Sequence, residues 1–129
     1  MIVMPKRKLL SIIELGGYPD FKPIYRQAGY DVEMVASVRK ALAALKKSSP
    51  DVIVAEFNFQ SDFRDRTSSL ESLLAVVQRS PKTKVIVFYE KDHAHQLTRL
   101  MNHYSIYETL AFPIDPGKLE HALRYAATD

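Results

Sequence analysis

The segment Ser49-Pro50-Asp51-Val52-Ile53-Val54-Ala55-Glu56 holds a continuous apolar run, residues 52–55, with no polar alternation. Such a run suits a strand covered on both faces, as in the middle of a parallel sheet. Residues 9–13 read the same way, interrupted only by Ser11 and followed by Glu14, and so do residues 84–89. Residues 30–36 are β-rich and partly alternating, which predicts a strand nearer a sheet edge. Residues 105–111 read as a last strand.

Between these runs the apolar spacing changes to the helical period. Phe21, Ile24, Tyr25 and Ala28 fall at i, i+3, i+4 and i+7, one helical face. Asp20 is placed to cap that helix, Pro23 sits in its first turn and Gly29 where a C-terminal cap belongs. Ser37 is the expected cap of a second helix carrying Val38, Ala41, Leu42 and Leu45, with Lys46 and Lys47 in its last turn, where they suit the dipole. Ser68 and Glu71 match the S-x-x-E capping box of a third, with Leu70, Leu73, Leu74 and Val77 on one face. Asp92 is the expected cap of a fourth, bearing Leu97, Leu100, Met101 and Tyr104. Asp115-Pro116 opens a fifth, a cap followed by proline at the first position, with Leu119, Ala122, Leu123 and Ala126 facing inward. Five strands and five helices in alternation with short connections predict a parallel sheet with right-handed crossovers and helices on both faces.

The chain has 129 residues, enough for one domain with a real core and too few for two ordinary ones. We expect a single domain over residues 1–129, preceded by a basic arm at residues 1–7. Hydrophobic residues make up 47% and charged residues 26%, so the composition excludes neither a core nor a solvated surface. No apolar run approaches the roughly 20 residues of a membrane helix, and the start lacks the long apolar segment of a signal peptide. Cytoplasm is the expected compartment. The absence of cysteine excludes disulfides, a thiol nucleophile and a cysteine-based zinc site. Net charge is +3, gathered at Lys6-Arg7-Lys8, Arg39-Lys40 and Lys46-Lys47. Three small clusters without a reading element do not make a nucleic-acid footprint.

In an open α/β sheet, chemistry sits outside the carboxyl ends of the strands, and Glu56 stands at one such end. Gly16-Gly17 reads as a turn, since it lacks both the dinucleotide pattern and the phosphate-loop lysine motif. His93 and His95 lie at i, i+2, on different faces of a helix, and so do not form a chelating pair. The 57–67 segment alternates Phe57, Phe59 and Phe63 with Asp62, Arg64, Asp65 and Arg66. It reads equally as a partner-binding surface or as a loop folded over the top of the sheet.

The sequence resembles the receiver domain of two-component response regulators. The resemblance covers nearly the whole chain and rests on Gly29-Tyr30-Asp31-Val32, Ala41-Leu42, Pro50-Asp51-Val52-Ile53-Val54, Lys84-Val85-Ile86-Val87 and Pro113-Ile114-Asp115-Pro116 leading to Leu119. It implies a flavodoxin-like (βα)5 three-layer α/β sandwich with a five-stranded parallel sheet in the order 2-1-3-4-5.

Receivers phosphorylate themselves on an aspartate, using an acid pair that holds Mg²⁺, a Thr or Ser, and a Lys before a proline. These groups neutralise charge on the transferring phosphoryl group. Carried over residue by residue, the acid pair reduces to Glu14, followed by Leu15. The nucleophile position holds Glu56, the Thr/Ser position Tyr89, and the Lys position Phe112, before Pro113. The aromatic switch position falls at Thr109. A glutamate is one methylene longer than aspartate, one remaining acid holds Mg²⁺ poorly, and no lysine pairs the phosphoryl oxygens.

The resemblance therefore implies a degenerate receiver, a pseudo-receiver that signals by protein–protein interaction independent of phosphorylation, with no enzyme activity and no cofactor. Its implied partners are a histidine kinase or an output or regulatory protein, with direct nucleic-acid binding and membrane association not expected. A homodimer through helix 4, strand 5 and helix 5 fits the family's habit. Candidate contact residues are Phe59, Phe63, Arg64, Arg99 and Lys118. Glu56 reads either as a mimic of a phosphorylated aspartate or as a polar residue at a solvated strand end. Phe112-Pro113 stands where the family's peptide bond is typically cis. Two alternatives stay open: a residual Mg²⁺-dependent phosphoacceptor using Glu14 and Glu56, and an N-terminal regulatory domain of a transcription regulator.

Overall fold

The computed structural model describes residues 7–13, 20–57, 69–80 and 82–128. Its strands are β1 (Arg7–Ile12), β2 (Tyr30–Val35), β3 (Val52–Glu56), β4 (Lys84–Tyr89) and β5 (Glu108–Ala111). Its helices are α1 (Lys22–Gln27), α2 (Val38–Leu45), α3 (Ser69–Val77), α4 (Ala94–Met101) and α5 (Pro116–Thr128). All neighbouring strands are parallel, in the order β2-β1-β3-β4-β5. This is the expected flavodoxin-like arrangement. Arg7, assigned from sequence to a basic arm, pairs with Tyr30 as the first residue of β1, and residues 1–6 lie outside the described residues.

The unalternating runs are explained by two cores that share one sheet. Side chains alternate across a strand with period two. In β3, Val52 and Val54 pack with α1 and α5, alongside Leu9, Ile86, Phe88, Leu119 and Leu123. Ile53 and Ala55 pack with α2, α3 and α4, alongside Leu10, Ile12, Val85, Val87, Leu73 and Leu97. Every residue of β3 is buried. The strand at one sheet edge, β2, exposes Asp31, Glu33 and Met34 and buries only Tyr30, as its partial alternation implies.

The local signals act largely as expected. Ser37 Oγ accepts from the Lys40 amide at 3.1 Å and caps α2. Asp115 Oδ1 accepts from the amides of Gly117 at 2.8 Å and Lys118 at 3.4 Å, opening α5 behind Pro116. Gly29 follows α1 at φ +96°, a left-handed conformation that favours glycine. Tyr30 is buried in β2, and its hydroxyl donates to the Leu123 carbonyl of α5 at 2.8 Å.

Several boundaries differ. Asp20 accepts from the Lys22 amide at 3.0 Å, but the cap position itself is Phe21, which makes no side-chain cap bond. Asp92 does not cap α4: it lies inside a 3₁₀ turn, Lys91–His93, that feeds directly into the helix. The competing short-range pattern won because the His93 amide bonds the Glu90 carbonyl at 2.9 Å. β5 begins at Glu108, three residues later than the apolar run suggests. Lys46 is the C-cap of α2, so Lys46 and Lys47 fall just beyond its last turn. Ser68 of the capping box and residues 58–67 of the aromatic loop, including Phe59, Phe63 and Arg64, lie outside the described residues.

Candidate functional site at the carboxyl ends of the strands

The parallel register brings the ends of β3, β4 and β5 side by side. Glu56 pairs with Phe88, and Tyr89 with Ala111. Beyond these pairs the Phe57 amide donates to the Phe88 carbonyl at 2.8 Å, and the Phe112 amide to the Tyr89 carbonyl at 2.7 Å. These bonds fix the backbone on which Glu56, Tyr89, Phe112 and Pro113 stand, so four of the five expected pocket residues are neighbours at one end of the sheet. Glu14, the fifth, lies outside the described residues; the chain preceding it is held by a bond from the Ile13 amide to the Val35 carbonyl at 3.2 Å.

Glu56 is buried, with 5% of its surface exposed. The reading of a polar residue at a solvated strand end is therefore corrected. Phe57 packs into the α2–α4 core and Val54 into the α1–α5 core. The pleat accordingly puts Glu56 on the α1–α5 side, beside Phe88. The Phe88 ring meets Phe21 edge-on, with centroids 5.7 Å apart. On that side, among the described residues, Ser11 of β1 and the hydroxyl-bearing Tyr25 of α1 and Tyr30 of β2 are also buried. Burial pushes the Tyr25 hydroxyl far above the ordinary tyrosine range, against the pull of its Ser11 hydrogen bond and with the charge of Asp20 adding to the rise. A nucleophilic carboxylate must meet both its donor and its metal. At this exposure Glu56 presents almost no surface to either.

The remaining positions diverge in the same direction. Tyr89 is half-buried and packs against the α2–α4 core. Phe112 is 41% exposed and puts a ring where the resemblance implies a lysine. Its bond to Pro113 is cis, the form that the resemblance implied for this position. Thr109 is half-buried in β5. Among the described residues no group of three His, Asp or Glu side chains comes together to hold a metal ion. Mg²⁺ asks for near-octahedral oxygen ligation, and Glu56 alone does not fit it.

An open groove of about 920 Å³ runs along β5, between Tyr89 and the start of α5. Its lining includes Thr109, Phe112, Pro113 and Lys118, together with Lys91, Glu108 and His121. Glu108 and His121 fall on the strand 5 and helix 5 face that the resemblance implied without being singled out there, and Lys91 lies outside it. Lys91 carried a signal, two residues past the end of β4, but it lay outside the positions that the resemblance carries over. Arg99 is exposed on α4. Lys118 shares the groove with Phe112, whereas Arg99 does not line it.

No protein-family model matches the chain, and no curated protein sequence does. Solved structures do. The signal receiver domain of an HD domain-containing protein from Pseudomonas fluorescens Pf-5 superposes with a TM-score of 0.77 at 19% identity, covering 99% of this chain and 91% of that one. The chemotaxis response regulator CheY4 of Vibrio cholerae gives 0.72 at 20% identity, covering 95% and 99%. A response regulator receiver domain protein from Clostridium thermocellum gives 0.72 at 19%, covering 95% and 94%. The strand order, the helices on both faces and these superpositions agree, and the chain has the receiver-domain fold over nearly its whole length.

Proposed function

We propose that this chain is a degenerate receiver that acts in signal transduction by binding a protein partner without phosphoryl transfer. The observation that carries the reading is the burial of Glu56 at the phosphoacceptor position, beside Phe88 and next to Phe57. Phe112 in place of a lysine supports it, because an aromatic ring supplies no cation to the phosphoryl oxygens. On this reading the protein is not an enzyme and needs no Mg²⁺. It works in the cytoplasm, and its partner is a histidine kinase or an output or regulatory protein. The groove along β5 is the favoured contact face, with Lys118 inside it; Arg99 is exposed on α4, outside that lining. The same face would serve a homodimer.

The test is an amide NMR titration with Mg²⁺ and then beryllofluoride, which imitates an aspartyl phosphate. Spectra that stay put are the expected result. Shifts centred on Glu14, Glu56 and Tyr89 at millimolar Mg²⁺ or below would establish a phosphoacceptor and overturn the proposal.

A further inference from the structure

A second surface lies on the opposite side of the sheet from α5, between α2 and α3. An open, mainly apolar groove of about 600 Å³ is floored by Val38, Leu42 and Ala43 of α2, with Ser72 of α3 on its far side. Arg39 and Lys46 line it as well, and among the described residues no acidic side chain does. Both cations are exposed, and neither forms an ion pair among the described residues. They are seven positions apart, two turns of helix, so they stand about 10 Å apart along one face with Leu42 between them. The surrounding sequence sharpens the charge: residues 37–50 contain Arg39, Lys40, Lys46 and Lys47 and no acid. On α3, Val76 lies one turn beyond Ser72 and is 42% exposed, which extends the apolar strip.

We infer that the α2–α3 groove docks an acidic amphipathic helical segment of a partner protein, its apolar stripe on Leu42 and Ala43 and its carboxylates on Arg39 and Lys46. Charge complementarity selects this occupant. A cationic rim around an apolar floor attracts a helix whose apolar face is bordered by acids about two turns apart. A second copy of this chain is disfavoured, because two identical basic rims repel. The inference does not depend on the groove along β5, which belongs to another face.

The experiment uses the whole chain and a display library of amphipathic helical peptides of about 16 residues, long enough to fold on the surface, with acidic, neutral and basic borders equally represented. The expected result is enrichment of the acid-bordered peptides, with amide shifts on Val38, Leu42, Lys46 and Ser72. Each rim pair contributes a few-fold in affinity, so Arg39→Glu with Lys46→Glu should weaken the selected peptide roughly tenfold. Both positions are exposed, and circular dichroism checks that the double variant stays folded. If that variant unfolds, Arg39→Gln with Lys46→Gln replaces it, with a smaller loss expected. Selection without acidic enrichment, shifts confined to residues 108–118, or affinity untouched by either double substitution would each overturn the inference. So would shifts on α2 that phosphatidylserine vesicles produce and the peptides do not, since the rim would then face a lipid surface.

Discussion

Tyr30→Phe removes one oxygen and tests how β2 is tied to α5. The Tyr30 side chain is 1% exposed, and its hydroxyl donates to the Leu123 carbonyl at 2.8 Å across 93 residues of chain. A buried neutral hydrogen bond of this kind contributes about 1 kcal/mol net. The acceptor sits within α5, whose own ladder continues to engage it, so the loss stays near that figure instead of reaching a full desolvation penalty. With a urea slope of about 1.5 kcal/mol/M, the midpoint should fall by roughly 0.7 M at neutral pH. The same variant has a pH signature. Burial raises the Tyr30 hydroxyl from 10.0 to about 12; Arg7 opposes the rise, and Asp51 and Tyr107 add to it. The folded form therefore holds this proton more tightly than the unfolded form. The associated stability is fully present below pH 10 and is lost as pH rises through about 12. Urea midpoints measured by circular dichroism from neutral pH into that window should fall less steeply for the variant than for the wild type. Tyr25, raised for the same reason, keeps some slope in both. A variant with an unchanged neutral midpoint and an equally steep alkaline fall would refute the reasoning.

Substitutions at three further positions probe separate terms by the same urea assay. Gly29→Ala should destabilise by about 1 kcal/mol: at φ +96° the cost is conformational, since an added Cβ meets nothing within 4 Å. Ser37→Ala should cost about 1 kcal/mol by freeing the Lys40 amide, and Ser37→Asp should recover most of it. Leu119→Ala, at a fully buried position in the α1–α5 core, should cost roughly 3 kcal/mol, and a loss under about 1 kcal/mol would mean that the helix does not seat as described.

The parts of the fold that depend on local pattern were legible in the sequence. Val52, Ile53, Val54 and Ala55 announce a strand covered on both sides because a parallel sheet leaves no face for water. Asp115-Pro116 announces a helix start because both residues act on the few amides beside them. The Asp92 turn was not legible, since 3₁₀ and α starts use the same residues and differ by one hydrogen-bond step. The site was half legible. The resemblance placed Glu56, Tyr89, Phe112 and Pro113 at one end of the sheet, and the register brings them together there. The burial of Glu56 was hidden, because it depends on Phe88 from another strand and on which way the pleat turns. The α2–α3 groove was hidden for a related reason. Arg39 and Lys46 read as a solvated face until Ser72 of α3 is seen across from Leu42.

The division of the interior into two cores has a consequence for how this sequence can change over time. Alternate residues of β3 and β4 serve different helical layers. A substitution in α3 and one in α5 share no side-chain partner, so their effects should combine almost independently. One layer can accumulate replacements, and acquire a new surface such as the rim of α2, while the other keeps its packing. The strands have no such freedom. A single insertion within β3 would exchange the two sets of side chains and spoil both interiors at once. Drift should therefore concentrate in the helices and their outer faces, with the sheet as the part that holds still.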